Sequence, residues 1–228
     1  AHMDLAVLKG RDALVRCRSS LINFVRGTCK TAGTRLPKCS AEAFAKTVIE
    51  HIPKDLLAAC VPCINTILEL TQKIRHLDSQ IEALCEEGYP ETMVLRQIKG
   101  VGPVTALAYI LTLEDPDRFS KSRDVGPYLG LIPKRDQSGG TDKPLSITKA
   151  GNTYLRRLLV GSAQYILGPF GPECELRRYG MRIASRGGKV AKRKATVAVA
   201  RKLAVMMHHI WKNKTVYDPF YQSYLKAA

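Results

Sequence analysis

Residues 60–84 read CVPCINTILELTQKIRHLDSQIEAL, and their spacing decides the fold class. Ile67, Ile74 and Ile81 recur every seven residues, with Leu70, Leu77 and Leu84 three residues behind each. Cys60 and Cys63 fall on the same two positions one heptad earlier. This is an a/d seam with β-branched residues at a and Leu at d, the pattern of a two-stranded coiled coil. An antiparallel helix from the same chain needs the same stripe, so an intrachain hairpin and a dimer both stay open. On this register Cys60 and Cys63 are small apolar seam residues. They form the only C-x-x-C pair among seven scattered cysteines, and no second Cys or His pair stands at zinc-finger spacing, so no metal site is expected here.

Working outward, Gly88-Tyr89-Pro90 ends this helix. Upstream, residues 4–30 are helix-compatible, with Leu5, Leu8, Val15, Ile22 and Val25 near helical spacing. Gly33 and Pro37 mark a break, after which Ser40 is placed to cap a helix carrying Phe44, Val48 and Ile49. Ala1-His2-Met3 reads as the remnant of a tag. No apolar run approaches the roughly 20 residues of a membrane helix. With no secretory pattern, a reducing cytoplasm is the expected compartment.

The 228 residues carry a net charge of +16. Residues 1–97 hold 13 Lys and Arg against 11 Asp and Glu, and residues 98–228 hold 23 against 9. Nearly all the excess lies in the second half, which points to a polyanionic partner.

That half also carries the motifs. Ile98-Lys99-Gly100-Val101-Gly102-Pro103, with Ala106 beyond, has the form of a helix-hairpin-helix between helices at about 91–98 and 103–113. Gly100 and Gly102 allow a tight turn and close approach to a phosphate, which the N–H groups of the second helix then face. Such contacts hold the backbone and read no sequence. Ser120 is placed to cap a short helix with Tyr128 and Leu129. A polar stretch follows, Gly130-Leu131-Ile132-Pro133-Lys134-Arg135-Asp136-Gln137-Ser138-Gly139-Gly140, and a short β-ribbon fits residues 131–148. Ile147-Thr148-Lys149-Ala150-Gly151-Asn152 then leads into a helix with Arg156 and Arg157. Ser138 ringed by Lys134, Arg135, Lys149, Arg156 and Arg157 has the parts of a phosphodiester-attacking site: a hydroxyl nucleophile and cations to stabilise charge on the phosphorane. Taken on chemistry alone, a Ser in a Gly-rich loop is also an ordinary loop residue. Residues 173–214 are strongly basic, and Arg182, Arg186, Lys192 and Arg193 form a candidate phosphate-tracking surface. His208 and His209 are adjacent and so point to different helix faces. Tyr217-Asp218-Pro219-Phe220 is placed as a C-terminal packing latch.

Residues 98–221 resemble the C-terminal transposase domain of the insertion-sequence 110 family, which is related to Piv-type DNA invertases. The resemblance rests on Ile98–Ala106, Gly130–Pro133, Ser138–Gly140, Ile147–Asn152 with Tyr154–Leu159, and Ala198–Leu203 with Tyr217-Asp218. The first half is similar to that family's coiled-coil linker. The resemblance implies a site-specific DNA recombinase of a mobile element, working with DNA and an element-encoded guide (bridge) RNA. It implies Ser138 as the nucleophile of a covalent phosphoserine link, and a separate RuvC-like domain whose acidic residues bind a divalent metal such as Mg. No such acidic segment precedes Asp4, so the chain is expected to carry half of a composite active site and to be inactive alone.

The expectations are therefore these. The fold is all-α, with a tag remnant at 1–3, a helical coiled-coil linker at 4–90 and a helix-hairpin-helix transposase domain at 91–228. The protein is a homodimer or higher oligomer through the coiled coil, in the bacterial or archaeal cytoplasm and associated with the nucleoid. The rival readings are a non-catalytic DNA- or RNA-binding module and a helix-hairpin-helix subunit of a repair or junction nuclease.

Overall fold

A computed structural model describes the backbone of residues 2–138 and 141–221, and the side chains of all these except 135–138 and 141–144. The fold is all-α, with one two-stranded ribbon. Among the described residues no helix is long and apolar enough to cross a membrane. The chain divides into two compact units, residues 2–82 and 83–228.

The first unit holds α1 (His2–Thr31), α2 (Phe44–Val48) and α3 (Leu57–Ala83). The seam of α3 is covered by α1 of the same chain, running antiparallel. Three contacts share one register. Arg11 Nε donates to Asp78, Arg18 Nη1 donates to Thr71 Oγ1 at 3.2 Å, and Cys29 hydrogen-bonds Cys60. Each step along α1 is matched by an equal step back along α3. The same register sets Leu8 opposite Ile81 and Val25 opposite Ile64, and all four are buried. Along α3 the buried residues are Cys60, Ile64, Ile67, Leu70, Thr71, Ile74 and Ile81. The a line and Leu70 of the expected d line are buried, and Ile64 and Thr71 beside the d positions are buried with them. Cys63, Leu77 and Leu84 are only partly buried, because a straight antiparallel neighbour follows the 3–4 spacing of α1. Cys60 and Cys29 are packed in this core, where burial raises the Cys60 thiol pKa. Phe44, Ala45 and Val48 of α2 close its end, with Arg26 stacked 5.0 Å from the Phe44 ring centre. Ser40 Oγ accepts from Ala43 N at 3.2 Å, just ahead of α2.

The unit boundary falls earlier than residue 90. Leu84–Gly88 forms a π-helical turn, and within the second unit Cys85 is buried, its carbonyl accepting from Thr92 Oγ1 at 3.3 Å. This turn therefore belongs to the second unit.

In the second unit α4 (Thr92–Arg96) leads through a turn into α5 (Pro103–Leu113). Every residue of α5 from Thr105 to Leu111 is buried, so it is the central helix. Tyr109 donates to Ala204 O at 2.6 Å, and burial pushes its phenol pKa up. After α6 (Val125–Tyr128) come the ribbon strands β1 (Pro133–Ser138) and β2 (Thr141–Ile147). Ser120 does not cap this region; a 3-10 turn at Ser122–Asp124 precedes α6, and neither start has a side-chain cap. Then come α7 (Thr153–Leu167), α8 (Glu175–Ala184) and α9 (Gly188–Asn213). Gly180 lets α8 approach closely: a Cβ there would meet Leu167 at 2.5 Å and Val199 at 2.6 Å. Arg177 caps the end of α7, donating to Ile166 O and Gly168 O at 2.6 Å each. The closing segment behaves as a latch, with Pro219 O accepting from Glu175 N at 2.9 Å and Tyr217 N donating to Gln97 Oε1 at 3.1 Å.

Candidate nucleic-acid interface

Two of the motif loops interlock. Gly130 and Gly151 both have positive φ, +66° and +70°. A Cβ on Gly130 would overlap the backbone of Ala150, and one on Gly151 the carbonyl of Tyr128. Only glycine fits either position, so Gly130-Leu131-Ile132-Pro133 and Lys149-Ala150-Gly151-Asn152 are two halves of one backbone lock. Ile132 O accepts from Thr148 N at 2.9 Å, and Gly130 O from Lys149 N at 3.2 Å. Asn152 caps α7, its side chain accepting from Leu155 N at 3.0 Å. Arg156 lies inside the lock, 8% exposed. It donates to Leu129 O at 3.0 Å, Ala150 O at 2.6 Å and Thr153 Oγ1 at 3.1 Å. Its guanidinium fork is thus occupied by the chain's own oxygens, and its role in the fold is to pin the two loops together.

The lock is the base of the β1–β2 ribbon. The strands are antiparallel, with Pro133 opposite Ile147 and Ser138 opposite Thr141. Gly139 and Gly140 lie outside the described residues, as do the side chains of Ser138 and Arg135. Ser138 is therefore placed by backbone alone, at the end of β1 far from the lock. Lys134 and Lys149 are exposed at the base, and Lys149 holds a left-handed backbone with φ +59°. Arg157 is exposed on α7, 5.5 Å from the Tyr154 ring centre.

At the α4–α5 turn the two glycines differ. Gly100 has φ +100°, and a Cβ on it would meet the Tyr165 ring at 3.0 Å. Gly102 has ordinary extended φ and ψ (−90° and 178°), precedes Pro103 at the α5 start, is exposed, and has nothing within 4 Å of a built Cβ. Gly100 is needed by the fold; at Gly102 the fold leaves open space beside the helix start.

Arg182 is exposed on α8 and Arg186 just after it; Lys192 and Arg193 are exposed on α9. The basic stretch and the apolar stretch beyond it form one continuous helix. The first turns of α9 carry Lys189, Lys192, Arg193 and Lys194 and no acidic residue in the first turn. Cations there add to the positive end of the helix dipole, an arrangement an anion relieves. Between the ribbon base and α8–α9 lies a cleft of about 820 Å³. Arg193, Lys194, Arg201 and Lys202 line it, with Tyr179 and apolar side chains. Desolvation, then the neighbouring Arg201 charge, lower the Lys202 pKa. Of these cations Arg193 and Lys194 belong to the basic run legible in the sequence, while Arg201 and Lys202 lie beyond it. The signal was present: residues 190, 194, 197 and 201 share one helix face.

His208 is buried and structural. Its Nε2 donates to Pro116 O at 2.8 Å, which leaves Nδ1 to accept from Ser122 Oγ at 2.9 Å. Desolvation lowers its pKa. Among the described residues no three His, Cys, Asp or Glu side chains are gathered so as to hold a metal ion.

Residues 93–175 match the family model described as Transposase IS116/IS110/IS902 family. Over 219 residues the chain is 29% identical to a Pseudomonas aeruginosa protein named "Probable family 20 transposase", covering 92% of this chain and 63% of that one. It is 30% identical over 173 residues to the Coxiella burnetii transposase for insertion sequence element IS1111A, covering 71% of this chain and 46% of the relative. It is 25% identical over 158 residues to the pilin gene-inverting protein of Moraxella bovis, covering 68% and 48%. The chain thus spans about half to two thirds of the length of these relatives.

Proposed function

Residues 93–175 belong to the IS116/IS110/IS902 transposase family, and from that premise we propose that this chain is the DNA-binding and strand-joining part of a transposase that recombines a mobile element. The observation that carries the reading is that the family match spans the α4–α5 turn, the interlocked loops and the whole ribbon bearing Ser138. In this reading the ribbon presents the Ser138 hydroxyl to a phosphodiester. The Oγ–P bond forms, one bridging P–O bond of the strand breaks, and the released deoxyribose oxygen takes a proton. Lys134, Arg135, Lys149 and Arg157 are the phosphate-holding candidates at the ribbon. Arg156 acts through the lock that positions them. Gly102 and the start of α5 hold the duplex backbone by phosphate contact, and the basic surface of α8–α9 tracks it.

The proposal extends to partners and setting. A divalent metal, as the family resemblance implies, would be held by acidic residues outside the described ones and would supply charge stabilisation when bound. An element-encoded guide RNA is a partner. The working assembly is a homodimer or higher oligomer, in the cytoplasm and associated with the nucleoid.

Trapping tests the reading. The complete protein with guide RNA, metal and element-end DNA is expected to give a covalent adduct mapping to Ser138, and Ser138→Ala to give none while still binding DNA. Adduct formation by Ser138→Ala overturns the nucleophile. Binding of this chain to DNA that does not fall steeply with salt overturns the phosphate-contact reading.

A further inference from the structure

The cleft between the ribbon base and α9 has a composition that a duplex surface does not explain. One wall is apolar: Leu131 and Ile147 from the lock and Val197 from α9. Val190 and Leu145 stand at its lips, 63% and 52% exposed. The opposite character comes from Arg193, Lys194, Arg201 and Lys202, and Tyr179 lines the same space with Lys202 5.3 Å from its ring centre. A duplex backbone laid across α9 would meet the cations and leave the apolar wall and the aromatic ring facing water. A strand with an unpaired base uses both, because its phosphates are anionic and its base offers an apolar face for stacking. The volume lies in the range of pockets that enclose a small organic group.

Resting on the reading of the chain as a DNA-joining domain, we infer that this cleft is a binding site for an unpaired nucleotide of a DNA strand, its base against Leu131, Ile147, Val197 and Tyr179 and its phosphates on Arg193, Lys194, Arg201 and Lys202. The location fits the occupant. The cleft is lined by Pro133 and Ile147 at the base of the ribbon, and Ser138 stands five residues farther along β1. At about 3.4 Å per residue that is roughly 17 Å, a few nucleotides of extended strand. A strand anchored in the cleft would lead its neighbouring phosphodiesters along the ribbon toward the serine.

The test uses the 228-residue chain and a single-stranded DNA of about 12 nucleotides bearing one 5-iododeoxyuridine, beside a blunt duplex and an RNA strand of the same sequence. Photo-cross-linking is expected at Tyr179 or its cleft neighbours. Lys202→Met, which keeps the stem, and Val190→Asp at the exposed lip are each expected to weaken single-strand binding about tenfold and duplex binding far less. Cross-links only outside the cleft, or single-strand affinity unchanged in both variants while salt-dependent duplex binding persists, overturn the cleft and leave the DNA-binding reading standing. Absence of any DNA binding at low salt overturns both. Tighter binding of the RNA strand than of the DNA strand overturns DNA as the occupant.

Discussion

Replacing Arg156 by Met separates a phosphate ligand from a structural pin. The side chain keeps its apolar stem and loses the guanidinium. In the structure that group serves Leu129 O and Ala150 O, two carbonyls on loops otherwise joined by a few backbone bonds. Each buried carbonyl left without its donor costs about 1–3 kcal/mol. Removing a desolvated cation whose three acceptors are neutral offsets part of this, leaving a net loss of about 2–4 kcal/mol. In a unit of this size each kcal/mol moves the melting temperature by about 2–4 °C, so a loss of ~3 kcal/mol lowers it by roughly 6–12 °C. Thermal melting by circular dichroism reads the first quantity. DNA titration at two salt concentrations, well below the melting point, reads the second, and its salt slope is expected to match that of the parent. The phosphate-ligand role would give the reverse: an unchanged melting temperature and a salt slope smaller by about one. That pair of results would refute the reasoning.

Gly100→Ala forces a side chain onto a φ of +100° against the Tyr165 ring and is expected to cost about 1–2 kcal/mol in chemical denaturation, whereas Gly102→Ala is expected to leave stability unchanged and weaken DNA binding. Equal stability losses in the two variants would count against the distinction. Ile74→Asp places a charge in the buried α1–α3 seam and is expected to cost about 3 kcal/mol or more, read as lost helicity on mild heating; an unchanged melt would mean the seam is not what holds the first unit. The lowered pKa of His208 means that the folded protein takes up this proton less readily than the unfolded chain. Its contribution is therefore held above the unfolded value of about 6.5 and is lost as pH falls below it. Melting temperature is expected to drop from pH 7 to pH 5, and His208→Gln to flatten that drop; identical pH slopes in the two proteins would contradict it.

Sequence periodicity alone determined that the chain is helical, because a stripe of apolar residues every three to four positions must be buried on one side of a helix. Turn chemistry placed the break between α4 and α5 at Gly100–Gly102, and the polar stretch around Gly139-Gly140 left room for a short ribbon over residues 131–148. These are local properties, set by residues within one or two turns of each other. A stripe states that it will be covered, not by what. Only the folded chain shows that α1 covers α3, in a register marked by Arg11 with Asp78 and Arg18 with Thr71, which buries Ile64 and Thr71 as well as the expected Leu70. The glycines of the 130 and 151 loops look like ordinary flexible turns in sequence; their need for glycine comes from each other's backbone, some twenty residues away. Arg156 and Arg157 are adjacent and chemically identical, yet one is pinned inside that lock and the other is exposed over Tyr154. The cleft joins a ribbon base to a helix face more than forty residues farther on. Charge and residue type are written in the sequence, but which atoms a side chain meets is decided by packing between segments distant along the chain.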